Sequence, residues 1–265
     1  MQLVDIGANL THESFSHDFE EVLGSAVDVG LVHMMLTGTD LHSSQAARLL
    51  AEQRPGLLSS TVGVHPHHAR AVSDQDMHSA AELAQETKVV AIGETGLDFN
   101  RNFSPAADQL RIFQQHLELA VDCQKPLFLH QRDAHQDFLP LLQKYRSRIS
   151  GGVVHCFTDN EQALQDYIEL DMYIGITGWV CDERRGKELQ RLVSQIPDER
   201  LLIESDAPYL LPRTLRPRPK TRRNEPRYLP AVLGQLALSR DQSEQHLAAV
   251  TTANARRLFQ LPGSD

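Results

Sequence analysis

Eight short apolar runs, each followed by a segment with helical periodicity, constrain the fold of this chain more than any other feature. The runs are continuously apolar rather than alternating, as in VVAI at residues 89–92. Strands of this kind are typical of a parallel sheet whose two faces are covered by helices. The predicted strands are QLVDIGA, LVHMMLTG, LLSSTVGV, VVAIGE, PLFLHQ, GGVVHC, MYIGITGWV and RLLIESD.

The segments between the runs predict helices. At residues 104–124 the apolar side chains recur on one helical face, and Ser104 followed by Pro105 predicts an N-cap and a first-turn proline. Near the end of the chain, RYLPAVLGQLA and SEQHLAAVTTANARRLFQL predict two further helices. The remaining predicted helices cover residues 18–29, 41–54, 76–86, 135–147, 160–170 and 184–195.

This alternation predicts an α/β protein with a (β/α)8 TIM barrel, a single domain over residues 1–265 with extra C-terminal helices. A doubly wound open sheet is the alternative. That fold usually carries a glycine-rich phosphate-binding turn after its first strand, and DIGANLT lacks one. We find no linker or change of composition that would divide the chain.

Charge and composition narrow the function classes. The formal net charge of −9 argues against a generally basic protein that coats nucleic acid. No run of 18 apolar residues predicts a membrane span, and MQLVDIGANL does not resemble a signal peptide. The three cysteines are widely separated, as is typical of a reduced, cytoplasmic protein. No feature indicates an obligate protein partner, so we expect a monomer.

One local segment is basic, although the chain as a whole is acidic. The sequence RTLRPRPKTRR, at residues 213–223, contains six cations and no acid. Its prolines exclude a helix, so we expect an extended loop. The loop is either a solvated linker or a basic surface on an acidic body.

Ionisable residues stand at the ends of five predicted strands. They are His65, Glu94, His130, His155 and Asp206. In a barrel these ends meet at the C-terminal face, where catalytic groups cluster. A buried carboxylate such as Glu94 needs a cation, and imidazole with carboxylate is an ordinary donor set for a divalent metal. The sequence therefore predicts a metal site with one or two ions.

Several longer motifs resemble those of the TatD family of metal-dependent deoxyribonucleases, over residues 3–259. They are GETGLDFNR, HQRDA, HCFT, IGITGWVCDERRG, ESDAPYLLPR and RRNEP. The resemblance implies a TIM barrel of the metal-dependent hydrolase type. It also implies a Mg²⁺-dependent 3′–5′ exonuclease acting on single-stranded DNA and RNA. The implied metal ligands are Glu94, His130 and His155, with Asp206 beside the metal.

The first strand departs from the pattern of the wider family, which opens with a His-x-His pair. Here DIGAN places Gly7 and Asn9 at those positions. Glycine offers no side-chain donor and an amide is a weak ligand. We therefore expect one tightly bound ion, and a second only when substrate phosphate adds oxygens. Asn9 is either a substrate contact or an amide that satisfies the strand end.

An ion at this site would make Asp206 and Glu94 the catalytic carboxylates, with Asp206 taking the proton of the attacking water or binding a second ion. Asp206 could instead cap the turn before Pro208. The presence of two histidines favours Zn²⁺ or Mn²⁺ over Mg²⁺. Because the resemblance implies Mg²⁺, we expect Mg²⁺ first and keep Mn²⁺ and Zn²⁺ as alternatives.

Substrate contacts are predicted at His65, Asn9, Arg132 and Arg223. The two arginines are candidates because guanidinium groups bind phosphate bidentately. A salt bridge to Asp133 is the alternative role of Arg132. Residues 213–223 would follow the backbone of a single strand. Other candidate roles are base stacking by Trp179, which otherwise lies in the core, and an ion pair between Asp98 and Arg101. His67 and His68 are expected at the surface.

Two other functions remain open at this level. The same barrel could hydrolyse a small amide or ester substrate, since such sites serve many reactions. The chain could also be a binding protein with a decayed site, given Gly7 and Asn9. The joint presence of Glu94, His130, His155 and Asp206 argues against decay.

Overall fold

The eight predicted strands form one parallel sheet in sequence order, which confirms the (β/α)8 prediction. The computed structural model describes residues 1–262, so the last three residues of the predicted 1–265 domain lie outside the described part. The strands are β1 Leu3–Ala8, β2 Leu31–Leu36, β3 Leu58–Val62, β4 Val89–Asp98, β5 Leu127–Arg132, β6 Gly152–Val154, β7 Tyr173–Ile176 and β8 Leu201–Ile203.

The sheet closes into a barrel just beyond the ends of β1 and β8. A parallel bridge joins Ala8 to Ala207. The backbone N–H of Asn9 donates to the Ala207 carbonyl at 2.7 Å, and the N–H of Asp206 donates to the Gly7 carbonyl at 2.8 Å. The seam therefore fixes the backbone of Asn9 and Asp206 against each other.

The helices lie where the periodicity predicts them, with ends that differ by a few residues. The seventh is the shortest and continues as a 3-10 turn at Val193–Gln195. The helices are α1 Phe19–Asp28, α2 Leu41–Gln53, α3 Asp74–Leu83, α4 Ala106–Cys123, α5 His135–Tyr145, α6 Glu161–Glu169, α7 Lys187–Leu192, α8 Leu229–Arg240 and α9 Glu244–Phe259.

The predicted N-cap of α4 is wrong. Pro105 is the residue that precedes the helix, and no side chain caps it. The Ser104 hydroxyl instead donates to the His67 carbonyl at 2.9 Å and accepts the Arg70 N–H at 3.1 Å. A tertiary partner has replaced the local one, because Ser104 is fully buried beneath the neighbouring loop.

Strand β4 does not end at Glu94, as predicted, but continues to Asp98. Its register against β5 shifts between Ile92 and Thr95, so Glu94 lies at an irregular point inside the strand. Gly93 and Gly96 both have φ of +145°, where L side chains are rare. A Cβ at Gly93 would collide with a β5 carbonyl oxygen, and the same holds at Gly96. The two glycines therefore allow β4 and β5 to approach each other closely on both sides of Glu94.

Helix α9 closes the end of the barrel at which the strands begin, opposite the C-terminal face. Leu258 and Phe259 of α9 pack against side chains that fill the barrel interior, including Ile6 and Phe128. The Thr252 hydroxyl donates to the Gln2 carbonyl at 3.0 Å, directly before β1. The predicted extra C-terminal helices are thus part of the core. Within residues 1–262, none of the helices has both the length and the apolar character to span a bilayer.

Candidate active site

Three imidazoles converge on one oxygen of a buried carboxylate. Glu94 Oε1 lies 2.8 Å from His130 Nδ1, 2.8 Å from His155 Nε2 and 3.3 Å from His65 Nε2. Glu94 itself is only 5% exposed. The four side chains come from the ends of β3, β5 and β6 and from the irregular point in β4, so the barrel topology brings them together.

The electrostatics of this cluster keep the carboxylate ionised. Burial alone would raise the pKa of Glu94, but the charge on His155, the proximity of His65 and hydrogen bonds from His130 and His155 hold that pKa well below its usual value. Burial lowers the pKa of His65 itself to about 4. Burial likewise opposes protonation of His155, yet the charges of Glu94 and Glu204 raise its pKa well above the ordinary value. The ionised carboxylate of Glu94 is therefore an anionic centre, and the positive charge that stabilises it lies on the neighbouring imidazole of His155.

The donor set fits a divalent metal ion. One ligand atom each from His65, Glu94 and His130 lie within 4.8 Å of one another, so this group could hold a metal. Its imidazole and carboxylate donors suit Zn²⁺, Mn²⁺ and related ions. In addition, His130 Nε2 is buried with no hydrogen-bond partner among the described residues. His65, predicted as a substrate contact, also lies among the candidate ligands. Its contact with substrate, and ligation by His155 and Asp206, stay predictions.

Asp98 extends the cluster toward the rim of the barrel. Its Oδ2 lies 2.8 Å from His67 Nε2 and 3.6 Å from His130 Nε2. Burial opposes ionisation of Asp98, but the proximity of these two imidazoles lowers its pKa. The predicted ion pair with Arg101 is absent among the described residues, because only the Arg101 backbone N–H donates to Asp98, at 2.8 Å. His67, expected at the surface, therefore belongs to the edge of the site.

Asp206 lies at the barrel seam beside the anionic centre. Its Oδ1 accepts a hydrogen bond of 3.1 Å from Asn9 Nδ2. Burial raises the pKa of Asp206 to about 8, the charges of Glu94 and Glu204 act in the same direction, and His155 opposes them. A carboxylate whose pKa is near neutrality is suited to accept a proton from water. Asn9 thus contacts a candidate catalytic group directly.

The buried carboxylate of Glu204 was missed by the sequence reasoning. Its Oε1 accepts the Cys156 N–H at 2.6 Å, and its Oε2 lies 3.3 Å from His155 Nδ1. A Cβ at Gly7 would lie 2.5 Å from Glu204 Oε2 and 2.9 Å from Phe128 Cζ. Glu204 therefore occupies the space into which a side chain at position 7 would project. The available signal was the acid that directly follows the apolar run of β8.

The two predicted phosphate-binding arginines differ in their surroundings. Arg132 is half-buried and lies two residues after His130 in β5, on the same side of the strand. Its side chain makes no ion pair within residues 1–262, and Asp133 instead accepts the Asn100 amide at 2.6 Å. Arg223, by contrast, is paired with Asp18 at 2.6 Å and with Glu225 at 3.0 Å. Substrate phosphate would have to compete with these carboxylates for Arg223.

The basic loop at residues 213–223 is anchored at both ends, and no helix or strand forms within it. Arg213 pairs with Asp182 at 3.4 Å and with Glu183 at 3.1 Å, and Arg223 anchors the other end. Between these anchors the side chains of Arg218, Lys220 and Arg222 are exposed, and none forms an ion pair within the described part of the chain. Arg216 is exposed as well and donates only to the backbone carbonyls of Arg213 and Leu215. The loop therefore holds four cations that make no ion pair within residues 1–262.

Trp179 follows β7 and is half-buried against the core. The Arg185 guanidinium lies over its ring, 4.4 Å from the ring centroid. The ring thus already has a stacking partner, and its predicted role in base stacking stays a prediction.

A buried histidine in α4 holds the strand end that carries His65. His116 is fully buried, its Nδ1 donates to the Ile112 carbonyl at 2.8 Å, and its Nε2 accepts the Val64 N–H at 3.1 Å. Only the neutral imidazole can make both bonds. Burial lowers the pKa of His116 from 6.5 to about 4.

This arrangement predicts a loss of stability in acid. Because the folded pKa of His116 lies below the unfolded one, the stabilisation is complete above pH 6.5 and is lost as the pH falls toward 4. We expect protonation of His116 to lower the free energy of unfolding by about 3 kcal/mol over that range. Urea unfolding measures this effect. Between pH 7 and pH 4, the free energy of unfolding should fall less in His116→Gln than in the wild type. His68→Gln, at the surface, is the control, and an unchanged acid loss in His116→Gln would contradict the assignment.

Comparison with known proteins agrees with this geometry. The profile of the family described as TatD related DNase matches residues 4–260. A Salmonella typhimurium protein named 3′-5′ ssDNA/RNA exonuclease TatD is 51% identical over 259 residues, covering 98% of this chain and 99% of that protein. A Pantoea sp. protein of the same name is 49% identical, with 98% and 100% covered.

Solved structures show the same fold over the full described length. The crystal structure of a TatD homologue from Escherichia coli K12 has a TM-score of 0.87 at 27% identity and covers 98% of both chains. A hydrolase of the TatD family from Entamoeba histolytica has a TM-score of 0.88 at 26% identity and covers 99% of both. The resemblance inferred from the motifs is thereby confirmed: the chain belongs to the TatD-related DNase family.

Proposed function

We propose that the chain is a metal-dependent 3′–5′ exonuclease that hydrolyses phosphodiester bonds of single-stranded DNA and RNA. The observation that carries the proposal is the convergence of three imidazoles on Glu94 Oε1 at the mouth of the barrel, in a chain about half identical to proteins of that name. The unpaired cations of the loop at 213–223 favour a polyanionic substrate over a small neutral amide or ester.

In this proposal Glu94, His130 and His155 hold the ion together with His65, and Asp206 lies beside it. When bound, the ion supplies positive charge at the scissile phosphate and makes water more acidic. Asp206 accepts the proton of the attacking water, and Asn9 orients Asp206 through the 3.1 Å hydrogen bond between them.

The ion is proposed to be Mg²⁺, with Mn²⁺ or Zn²⁺ as alternatives favoured by the imidazole donors. One ion is expected to bind tightly. A second site is weakened because Gly7 offers no donor and the Asn9 amide is bonded to Asp206. The single-domain organisation, a monomeric state and a cytoplasmic location stay predictions.

Arg132 and the loop at 213–223 are the proposed contacts to the phosphate backbone of the single strand. Arg132 is proposed for this role because it makes no ion pair within residues 1–262 and lies two residues after His130 on the same side of β5. Arg223 is proposed as a weaker contact, since Asp18 and Glu225 already neutralise it.

The direct test uses chelator-stripped protein with single-stranded oligonucleotides labelled at the 3′ or the 5′ end. Mg²⁺, Mn²⁺ and Zn²⁺ are added back separately. We expect no cleavage without metal, immediate release of the 3′ label and a ladder of shortening products from the 5′-labelled strand. Internal cleavage that leaves the 3′ label on a fragment of several nucleotides, or full activity in excess chelator, would overturn the proposal.

A further inference from the structure

Exposed aromatic side chains occur at only one end of the described molecule. Seven large hydrophobic residues of the described chain are exposed, and the two aromatic ones both follow strand ends at the barrel mouth. Phe103 is 56% exposed and Tyr209 is 52% exposed. The aliphatic members of this set are Met1, Val27, Val29, Leu49 and Leu238.

Phe103 borders the site on the side of β4. Its ring centroid is 4.7 Å from that of His67, which in turn lies 6.5 Å from the ring of His130. Only one imidazole therefore separates Phe103 from a candidate metal ligand. More than half of the Phe103 side chain nevertheless stays open to solvent, at 56% exposure.

Tyr209 borders the site on the side of β8, across the barrel from β4 in an eight-stranded sheet of sequential order. Its backbone N–H donates to the Asp206 carbonyl at 2.9 Å, so it stands one turn beyond the candidate base. Its ring centroid is 6.0 Å from that of His12, which follows β1. The anionic centre thus lies between the two exposed rings.

Both rings are carried by fixed backbone. Beside Phe103, the Ser104 carbonyl accepts a hydrogen bond of 2.8 Å from the buried Gln109 amide. Beside Tyr209, the Asn224 N–H donates to the Pro208 carbonyl at 3.0 Å. A ring on a fixed backbone loses less conformational entropy when a flat ligand stacks on it than a ring on a mobile one. Exposed aromatic rings on which bases stack are a feature of single-strand binding surfaces.

We propose that Phe103 and Tyr209 each stack on an unpaired nucleobase, one on either side of the scissile phosphate. This inference rests on the proposed function and adds to it the way in which the enzyme grips its substrate. One ring takes the base of the terminal nucleotide and the other takes the base of its neighbour. Stacking tolerates any base, so the pair selects single strands without reading sequence, whereas paired bases cannot splay onto the rings.

The test compares kcat/KM for an intact oligonucleotide with that for oligonucleotides carrying one abasic residue, at the terminal or the next position. In the metal-loaded wild type, each abasic residue should lower kcat/KM by about 5- to 100-fold. Phe103→Leu should abolish this penalty at one position and Tyr209→Leu at the other. Phe103→Tyr and Tyr209→Phe keep a ring and should keep the penalty, and Leu238→Ala is the remote control.

The outcomes separate the two proposals. Suppose that the wild type degrades single strands and that both leucine variants show the same abasic penalty as the wild type. That result would overturn the stacking proposal and leave the exonuclease proposal intact. A loss of activity in the leucine variants without any change in the abasic penalty would also overturn stacking. A wild type inactive on every strand with every ion would overturn the exonuclease proposal itself.

Discussion

Glu94→Gln protein should lose at least about 10³-fold in kcat/KM on single-stranded oligonucleotides, which corresponds to about 4 kcal/mol of transition-state stabilisation. The substitution keeps the size of the side chain and removes the charge on which His65, His130 and His155 converge. Without that charge the site can neither hold a divalent ion firmly nor keep His155 in its present protonation state.

The measurement pairs initial rates with the metal content of the purified protein after dialysis. Wild-type protein stripped by chelator should match the variant in rate. Glu118→Gln is the matched control, because Glu118 accepts a hydrogen bond of 2.9 Å from Tyr145 on the outside of the barrel. Retention of a tenth or more of the wild-type rate in Glu94→Gln would refute a metal-bound role for this carboxylate.

Charge reversal in the basic loop has the second-largest expected effect. In the triple variant Arg218→Glu, Lys220→Glu, Arg222→Glu, we expect KM for a long single strand to rise by about 10²-fold while kcat changes little. The three cations have no ion pairs within the described residues, so their loss leaves no buried charge unpaired. If each contacts one phosphate, the slope of log affinity against log salt should fall by about 2.

A control with the same change in net charge separates local contacts from the overall field. Lys144, Arg148 and Arg257 are exposed and lie near the opposite end of the barrel, and their reversal to Glu should leave KM almost unchanged. An equal rise of KM in both triple variants would show that only the net charge acts. If the loop variant kept the KM of the wild type, a small neutral amide or ester would become the better substrate hypothesis.

Much of the fold could be predicted because each strand is buried on both faces. Continuous apolar runs mark such strands without knowledge of their neighbours, and sequential order then follows from the βα repeat. The end of β4 could not be predicted, because the strand passes through Glu94 on two glycines whose close contacts belong to β5. The role of Ser104 was mistaken for the same reason, since its partners His67 and Arg70 are distant in sequence.

The sequence identified candidate residues for the site but not the contacts between them. Residues that end or follow the apolar runs meet at one face of a barrel, so Glu94, His130, His155 and Asp206 could be selected as candidates from their positions, and their roles stay predictions. The approach of His65 to Glu94, and of His67 to Asp98, depends on side-chain directions in the folded loops. No spacing in the sequence reports those directions.

The sequence by itself determined the barrel and the face on which the chemistry lies, since both follow from the order of the apolar runs and of the acids and imidazoles near their ends. The candidate metal group of His65, Glu94 and His130 required the folded structure. Only the tertiary structure decided which charged groups form ion pairs and which space each side chain occupies. Arg223 is neutralised by Asp18, 205 residues away. Arg132 makes no ion pair with any residue of the described range 1–262. Glu204 fills the space beside Gly7 because β1 and β8 meet at the seam. Ion pairs and steric exclusion depend on distances of a few ångströms, and only the folded backbone fixes those distances.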